Sequence, residues 1–132
     1  MYNLLVGWLD FCDILGDNIC SILSGKPLIL IHVPFLWVHG MALFPFVLIK
    51  YKHYASNERL LNHEQIHLRQ QLELGIIPFY IWYLLEYAWL RVKGMKHKEA
   101  YYNISFEKEA YDRQYDLDYL LYRPLWNFRK YL

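Results

Sequence analysis

Residues 60–71 read LLNHEQIHLRQQ, and the interpretation of the whole chain turns on them. His63 and His67 stand four residues apart, with Glu64 directly after the first. On a helix, positions i and i+4 share a face with Cβ atoms about 5–6 Å apart, so both imidazoles can turn one nitrogen toward a single ion. Zinc accepts imidazole nitrogen at about 2.0–2.1 Å and prefers tetrahedral geometry. Glu64 projects about 100° around the helix from His63, too far round to join easily as a ligand. It is well placed to hydrogen-bond a water in an open metal position and to take its proton as it attacks a carbonyl. H-E-x-x-H recurs in zinc peptidases for this reason. The plainer alternative is two ordinary, partly exposed helix histidines.

The flanks support a helix over about 57–74. Ser56 or Asn57 can cap it, Glu58 suits its first turn, and Gly75 can end it. Residues 76–94, IIPFYIWYLLEYAWLRVKG, read as the next helix, with Pro78 at its first position and Gly94 as its stop. Apolar residues surround nearly all of it. About 16 residues at 1.5 Å each give roughly 24 Å, so a buried core helix or an in-plane membrane helix is expected, not a crossing one. Residues 96–103 read as a polar loop or short helix. A further helix is expected from Ser105 to about 121, capped by Ser105 or Asn103, with Glu107 in its first turn. The tail 123–132 is expected to dock on the core, with contact to anionic lipid as the alternative.

Upstream, residues 27–49 run 23 positions without a formal charge, between Lys26 and Lys50. That is long enough for a transmembrane helix. Pro34, Gly40 and Pro45 interrupt it, so two strands are preferred, about 28–38 and 41–50, turning near His39-Gly40. Apolar residues recur at helical spacing over 3–23, which makes 1–26 a helical extension. Asp10, Asp13 and Asp17 interrupt that extension and no basic segment precedes it, unlike a usual secretory signal. A cytoplasmic position, or a membrane-associated one facing the cytoplasm, is expected. Cys12 and Cys20 match no zinc pair and read as buried free thiols.

The 132 residues suffice for a single domain. A net charge of +1 gives no field for nucleic acid. The chain is 19% aromatic, which fits a membrane interface, a partner surface, a substrate groove or dense packing.

A catalytic zinc site needs a third protein ligand. Glu73, Glu86, His97, Glu99, Glu107 and Glu109 are available. Glu73 falls on roughly the opposite side of the first helix. Glu86 is lodged in the apolar helix and needs a partner if buried. Glu107 opens a second helix that could face the first. Glu109 reads as a solvated or supporting group. His32, His39, His53 and the same His97 have no partners at ligand spacing.

The order H-E-x-x-H, then IPFYIWYLLE at 77–86, then FEKEAY at 106–111 resembles the gluzincin metallopeptidases. It is most similar to the peptidase domains of the beta-lactam-sensing membrane transducers and their relatives, including the prenyl-protein peptidases. The resemblance covers about 41–121 and makes the chain look like a minimal gluzincin. Those families carry E-x-x-A-D or E-x-x-C-D after the apolar helix, and its glutamate is the third zinc ligand. The resemblance therefore implies Glu107 as ligand and Ala110 at the small position. Tyr111 stands where the family has an aspartate that supports an active-site histidine. Asn62, Glu86, Glu109 or Asp112 would have to take over that role. Tyr101, Tyr102, Tyr111 and Arg113 carry donors suited to an oxyanion. Residues 41–50 would grip a substrate by strand addition.

The expected protein is thus α+β, a mostly helical zincin-like domain with a small antiparallel sheet or hairpin before the H-E-x-x-H helix and a helical core over 57–121. Its expected function is zinc-dependent hydrolysis of a peptide or protein substrate, with His63, His67 and Glu107 as ligands and Glu64 as general base. The alternative is a non-catalytic membrane-associated or partner-binding protein that retains the fold.

Overall fold

The computed structural model describes residues 29–132; the helical extension expected over 1–26 and both cysteines lie outside the described residues. The uncharged run forms three strands where two were expected: β1 (Ile29–His32), β2 (Gly40–Leu43) and β3 (Phe46–Ile49). β2 and β3 form an antiparallel hairpin with Leu43 opposite Phe46, so the tight turn is at Phe44-Pro45 and Gly40 instead opens a strand. β1 lies parallel to β3, with Leu30 opposite Val47, and the strand order is β1-β3-β2. The sheet is therefore mixed where an antiparallel one was expected. Proline brings no N–H to a ladder, so pairing stops short of Pro34 and Pro45. The connection over 33–45 is then long enough to bring β3 back parallel to β1. With strands at 29–49, the transmembrane reading of 27–49 falls. Among the described residues, no helix is long and apolar enough to cross a membrane.

β3 is central and alternates. Val47 and Ile49 point inward, against Ala42 of β2 and Leu68 of the first helix. That helix, α1 (Glu58–Leu74), starts where Asn57 Oδ1 accepts the Leu60 N–H at 3.0 Å. It ends at Gly75, whose φ of +87° is open to glycine at no steric cost. Ile66 and Leu68 anchor α1 in the core, but its other buried positions include Asn62, His63, Glu64, His67, Gln70 and Gln71. A helix that buries six polar side chains must supply each with a partner. That requirement organises everything packed against it.

α2 (Ile76–Val92) carries Pro78 in its third position, where no helical N–H is lost, and the next residue, Phe79, donates the first such bond to the Gly75 carbonyl. The expected buried core helix is not observed, since Phe79 is the only α2 residue classed as buried. Its inner stripe of Phe79, Tyr80, Tyr83, Tyr87 and Leu90 packs near Ile104, Phe106 and Phe128. The sheet and the later helices already occupy the remaining faces of α1, so the outer side of α2 stays uncovered by the described residues. α3 (His97–Tyr102) leads into α4 (Ser105–Arg113). Neither Ser105 nor Asn103 caps α4. Instead Glu86 reaches over from α2, accepting the Ser105 N–H at 2.9 Å and the Ser105 hydroxyl at 2.7 Å. α4 stops at Arg113, short of the expected 121, because the Asn62 amide donates to the carbonyls of Arg113, Gln114 and Asp116 and turns the chain. A short helix α5 (Tyr119–Tyr122) follows.

The tail returns across α4 and buries Phe128 against Phe106. Arg123, with a fully buried side chain, lies between Glu109 and Glu73. Its Nε donates to Glu109 Oε1 at 2.7 Å and its Nη2 to Glu109 Oε2 at 3.0 Å. Burial alone would raise the Glu109 carboxyl, but the hydrogen bonds and charge of Arg123 bring it below its ordinary value. Glu109 therefore contributes stability at neutral pH that is lost as pH falls through its depressed pKa. Arg123→Met leaves Glu109 buried without its counter-charge and is expected to cost about 3–5 kcal/mol in urea denaturation at neutral pH. The gap to the parent protein should narrow on acidification, first as the variant protonates its unpaired carboxylate and then as pH falls through the depressed pKa of Glu109 in the parent.

Candidate metal centre

α1 sets His63 and His67 one turn apart with their Nε2 atoms 3.1 Å from each other. The first turn of α4 brings Glu107 to the same point. Its Oε2 lies 3.3 Å from His63 Nε2, and its Oε1 lies 3.5 Å from His67 Nε2. A tetrahedral zinc ion with bonds of about 2.0–2.2 Å holds its ligand atoms about 3.3–3.5 Å apart. The two imidazole–carboxylate separations fall in this range, each to a different Glu107 oxygen, and the imidazole nitrogens stand slightly closer to each other, so the three side chains converge on one point with a side left open. All three side chains are buried, and no hydrogen-bond donor among the described residues serves Glu107 Oε2. A buried carboxylate whose two oxygens each face an imidazole nitrogen, one of them without a donor, is an arrangement that a cation satisfies. Among the described residues no other trio of His, Cys, Asp or Glu gathers in this way.

The supporting contacts decide the tautomer of His67. Its Nδ1 lies 2.8 Å from Gln70 Oε1. Gln70 Nε2 donates to Glu109 Oε2 at 2.9 Å and to the Phe106 carbonyl at 3.3 Å. With the amide nitrogen turned to acceptors, the amide oxygen faces His67 and requires the ring proton on Nδ1. In the neutral ring, Nε2 then presents its lone pair to the centre. Glu107 is oriented by Tyr83, whose hydroxyl donates to Oε1 at 2.7 Å. The Tyr111 ring stands edge-on to His63 at 4.5 Å, filling the place where an aspartate was expected.

Electrostatics tie the group together. Burial lowers His63. Burial also acts to lower His67, but the charge and hydrogen bond of Glu107 override it and push the ring up to about 9. Without an ion, a proton on His67 therefore balances Glu107. Glu64 is raised to about 7 by burial, against the opposing charge of His67. It lies in the same cleft, beside Gly40 of β2, where a Cβ would stand only 2.7 Å from Glu64 Oε1. A side chain there would displace the Glu64 carboxylate. Burial and then the charge of Glu107 raise both Tyr83 and Tyr101, so these phenols keep their protons and remain donors.

The other expected candidates are engaged elsewhere. Glu86 caps α4, Glu109 and Glu73 hold Arg123, and the hydroxyl of Tyr87 lies 2.7 Å from His97 Nδ1. Glu99 accepts from the Lys96 backbone, Asp112 pairs with Arg113, and Asn62 caps the end of α4. Of the expected oxyanion donors, Tyr101 lines the cleft, whereas Tyr102 is half exposed. His39 and His53 pack on Tyr54. Gln70 was missed by sequence reasoning, although its i+3 spacing from His67 was the signal. So was Gln71, which with Tyr80 occupies the outer edge of β2. Gln71 Nε2 and the Tyr80 hydroxyl both donate to the Ala42 carbonyl, and the Phe44 N–H donates to Gln71 Oε1. Within the 41–50 stretch expected to grip a substrate strand, the Ala42 carbonyl and the Phe44 N–H therefore already have partners. The cleft has a volume of about 260 Å³, with walls that include Val38, Met41, Phe79 and Leu84.

No protein family, curated protein or solved structure matches this chain. The ligand set can be checked by metal analysis and calorimetric titration with zinc. His63→Ala and Glu107→Ala should each abolish one-to-one binding, and Glu86→Gln should retain it. Gln70→Leu should weaken it about 10–100-fold, the usual effect of removing a partner behind a metal-bound imidazole.

Proposed function

We propose that this protein is a small zinc-dependent metallopeptidase of gluzincin type. The observation that carries the reading is the convergence of buried His63, His67 and Glu107, with one ligand-type atom from each within 4.8 Å of the others, and Glu64 in the same cleft. The motif order along the chain supports it, as do the packing of α1 on the sheet and the delivery of the acid by α4. His63, His67 and Glu107 would hold the ion. A bound zinc ion supplies Lewis acidity and lowers the pKa of water to about 7.

The chain's own groups account for the rest. Glu64, buried and raised to about 7, accepts a proton from the attacking water and returns it to the leaving amine. Tyr101 keeps its phenolic proton and lines the cleft, which suits donation to the oxyanion as the carbonyl becomes tetrahedral. Gln70 and Tyr83 hold His67 and Glu107 in place, so their ordering cost is met before substrate arrives. The apolar part of the cleft wall suits a large apolar side chain next to the scissile bond.

A second reading is favoured by one observation. The His67–Glu107 pair is self-consistent as an ion pair, so a non-catalytic protein that keeps the fold would also be stable. Glu64→Gln separates the two readings. In a peptidase it should keep zinc stoichiometry and lower the cleavage rate of quenched fluorescent peptides with apolar residues by about 10²–10⁴-fold. A parent protein that binds zinc and cleaves none of a diverse peptide library, with no change in Glu64→Gln, would overturn the peptidase reading.

A further inference from the structure

The exposed side of α2 carries apolar side chains almost without interruption. Ile77, Ile81, Leu84, Leu85, Trp89 and Val92 fall within one arc of the helix, and Val92 is 81% exposed. Arg91 in the last turn is the only charged residue among the exposed positions of this helix. A helix facing water normally places charges on such an arc, and a contiguous apolar strip marks an interaction surface. Its 17 residues make it about 25 Å long.

A second apolar element lies near it. Phe35 and Trp37, in the loop between β1 and β2, are 81% and 98% exposed. Val38 of that loop and Leu84 of α2 both line the metal cleft, so the two apolar elements flank one mouth. Cations gather at the far end of the strip. Arg91, Lys93, Lys96 and Lys98 follow one another within eight positions, although the whole chain is only +1. Lys93 Nζ lies 5.1 Å above the ring of Trp89, which joins this charge to the strip. The one acid within α2, Glu86, is occupied by Ser105.

We propose that α2 lies in the plane of an anionic lipid surface, with the 35–38 loop beside it and the cleft mouth at that surface. An apolar strip with tryptophan and a basic margin is the combination that binds anionic bilayers in plane. A second copy packed strip against strip would cover the apolar side chains, but its α2 has no free acid to offer the four cations, since Glu86 is engaged by Ser105. Where the peptidase reading holds, this docking makes the substrate a peptide segment lying at the bilayer surface. That corollary rests on the reading above; the docking does not.

The test is flotation of the full chain with vesicles of phosphatidylcholine, with and without phosphatidylglycerol. The parent protein should float with the anionic vesicles and at least tenfold less with the neutral ones. The triple variant Leu85→Ser, Trp89→Ser, Val92→Ser and the charge variant Lys93→Glu, Lys96→Glu should each lose at least tenfold of that binding. Glu64→Gln should float like the parent, so a failed hydrolase reading leaves the docking result intact. Parent protein that stays with the aqueous fraction overturns the proposal. So does a triple variant that floats undiminished. A dimer in sedimentation that the triple variant abolishes, without vesicle binding, overturns it in favour of a protein interface.

Discussion

Glu109 has no solvent-accessible side-chain surface and yet is held as a carboxylate, and the rest of the structure follows from how that charge is satisfied. Arg123 meets it from the tail, Tyr119 and Asn127 donate to Oε1, and Gln70 donates to Oε2. One buried charge therefore binds α1, α4, α5 and the tail to each other. Because Gln70 spends its nitrogen on Glu109, its oxygen is left for His67. A stability network thus sets the proton position on an imidazole at the centre. Buried polar networks are costly when incomplete, so each member constrains the next.

The centre is assembled from two helices held by different means. α1 is fixed from below by the sheet, through Leu68 against Val47 and Ile49 and through Gln71 against β2. α4 is fixed at its start by a carboxylate from α2 and at its end by an amide from α1. Helix starts leave amides unpaired, and here a neighbouring helix supplies the acceptor that the local sequence lacks. Glu107 sits in that first turn, so its placement depends on a contact with Glu86, 21 positions earlier in the chain.

The helices were legible in the sequence because their signals are local. Asn57 as cap, Gly75 and Gly94 as stops, and the spacing of His63 and His67 are each read within a few residues. The sheet was less so. Proline correctly announced interruptions, but whether strands pair in parallel depends on chain reversal over 33–45, which periodicity does not encode. The break after Arg113 was hidden because its cause, Asn62, lies 51 residues away. Glu86 shows the same limit. Its setting in an apolar helix signalled a partnered carboxylate, and only the fold reveals that the partner is the start of α4. Gln70 looked like an ordinary polar helix residue, and its role appears once Glu109 is placed beside it.

The apolar helix α2 touches the centre twice from its inner side, through the Tyr83 hydroxyl on Glu107 and through Glu86 on Ser105. Its outer side is the one left uncovered by the described residues. A displacement imposed on that outer side would reach the buried Glu107 carboxylate through these two contacts. A slide of α2 along its axis by a fraction of a turn would drag both attachments together and re-aim the carboxylate.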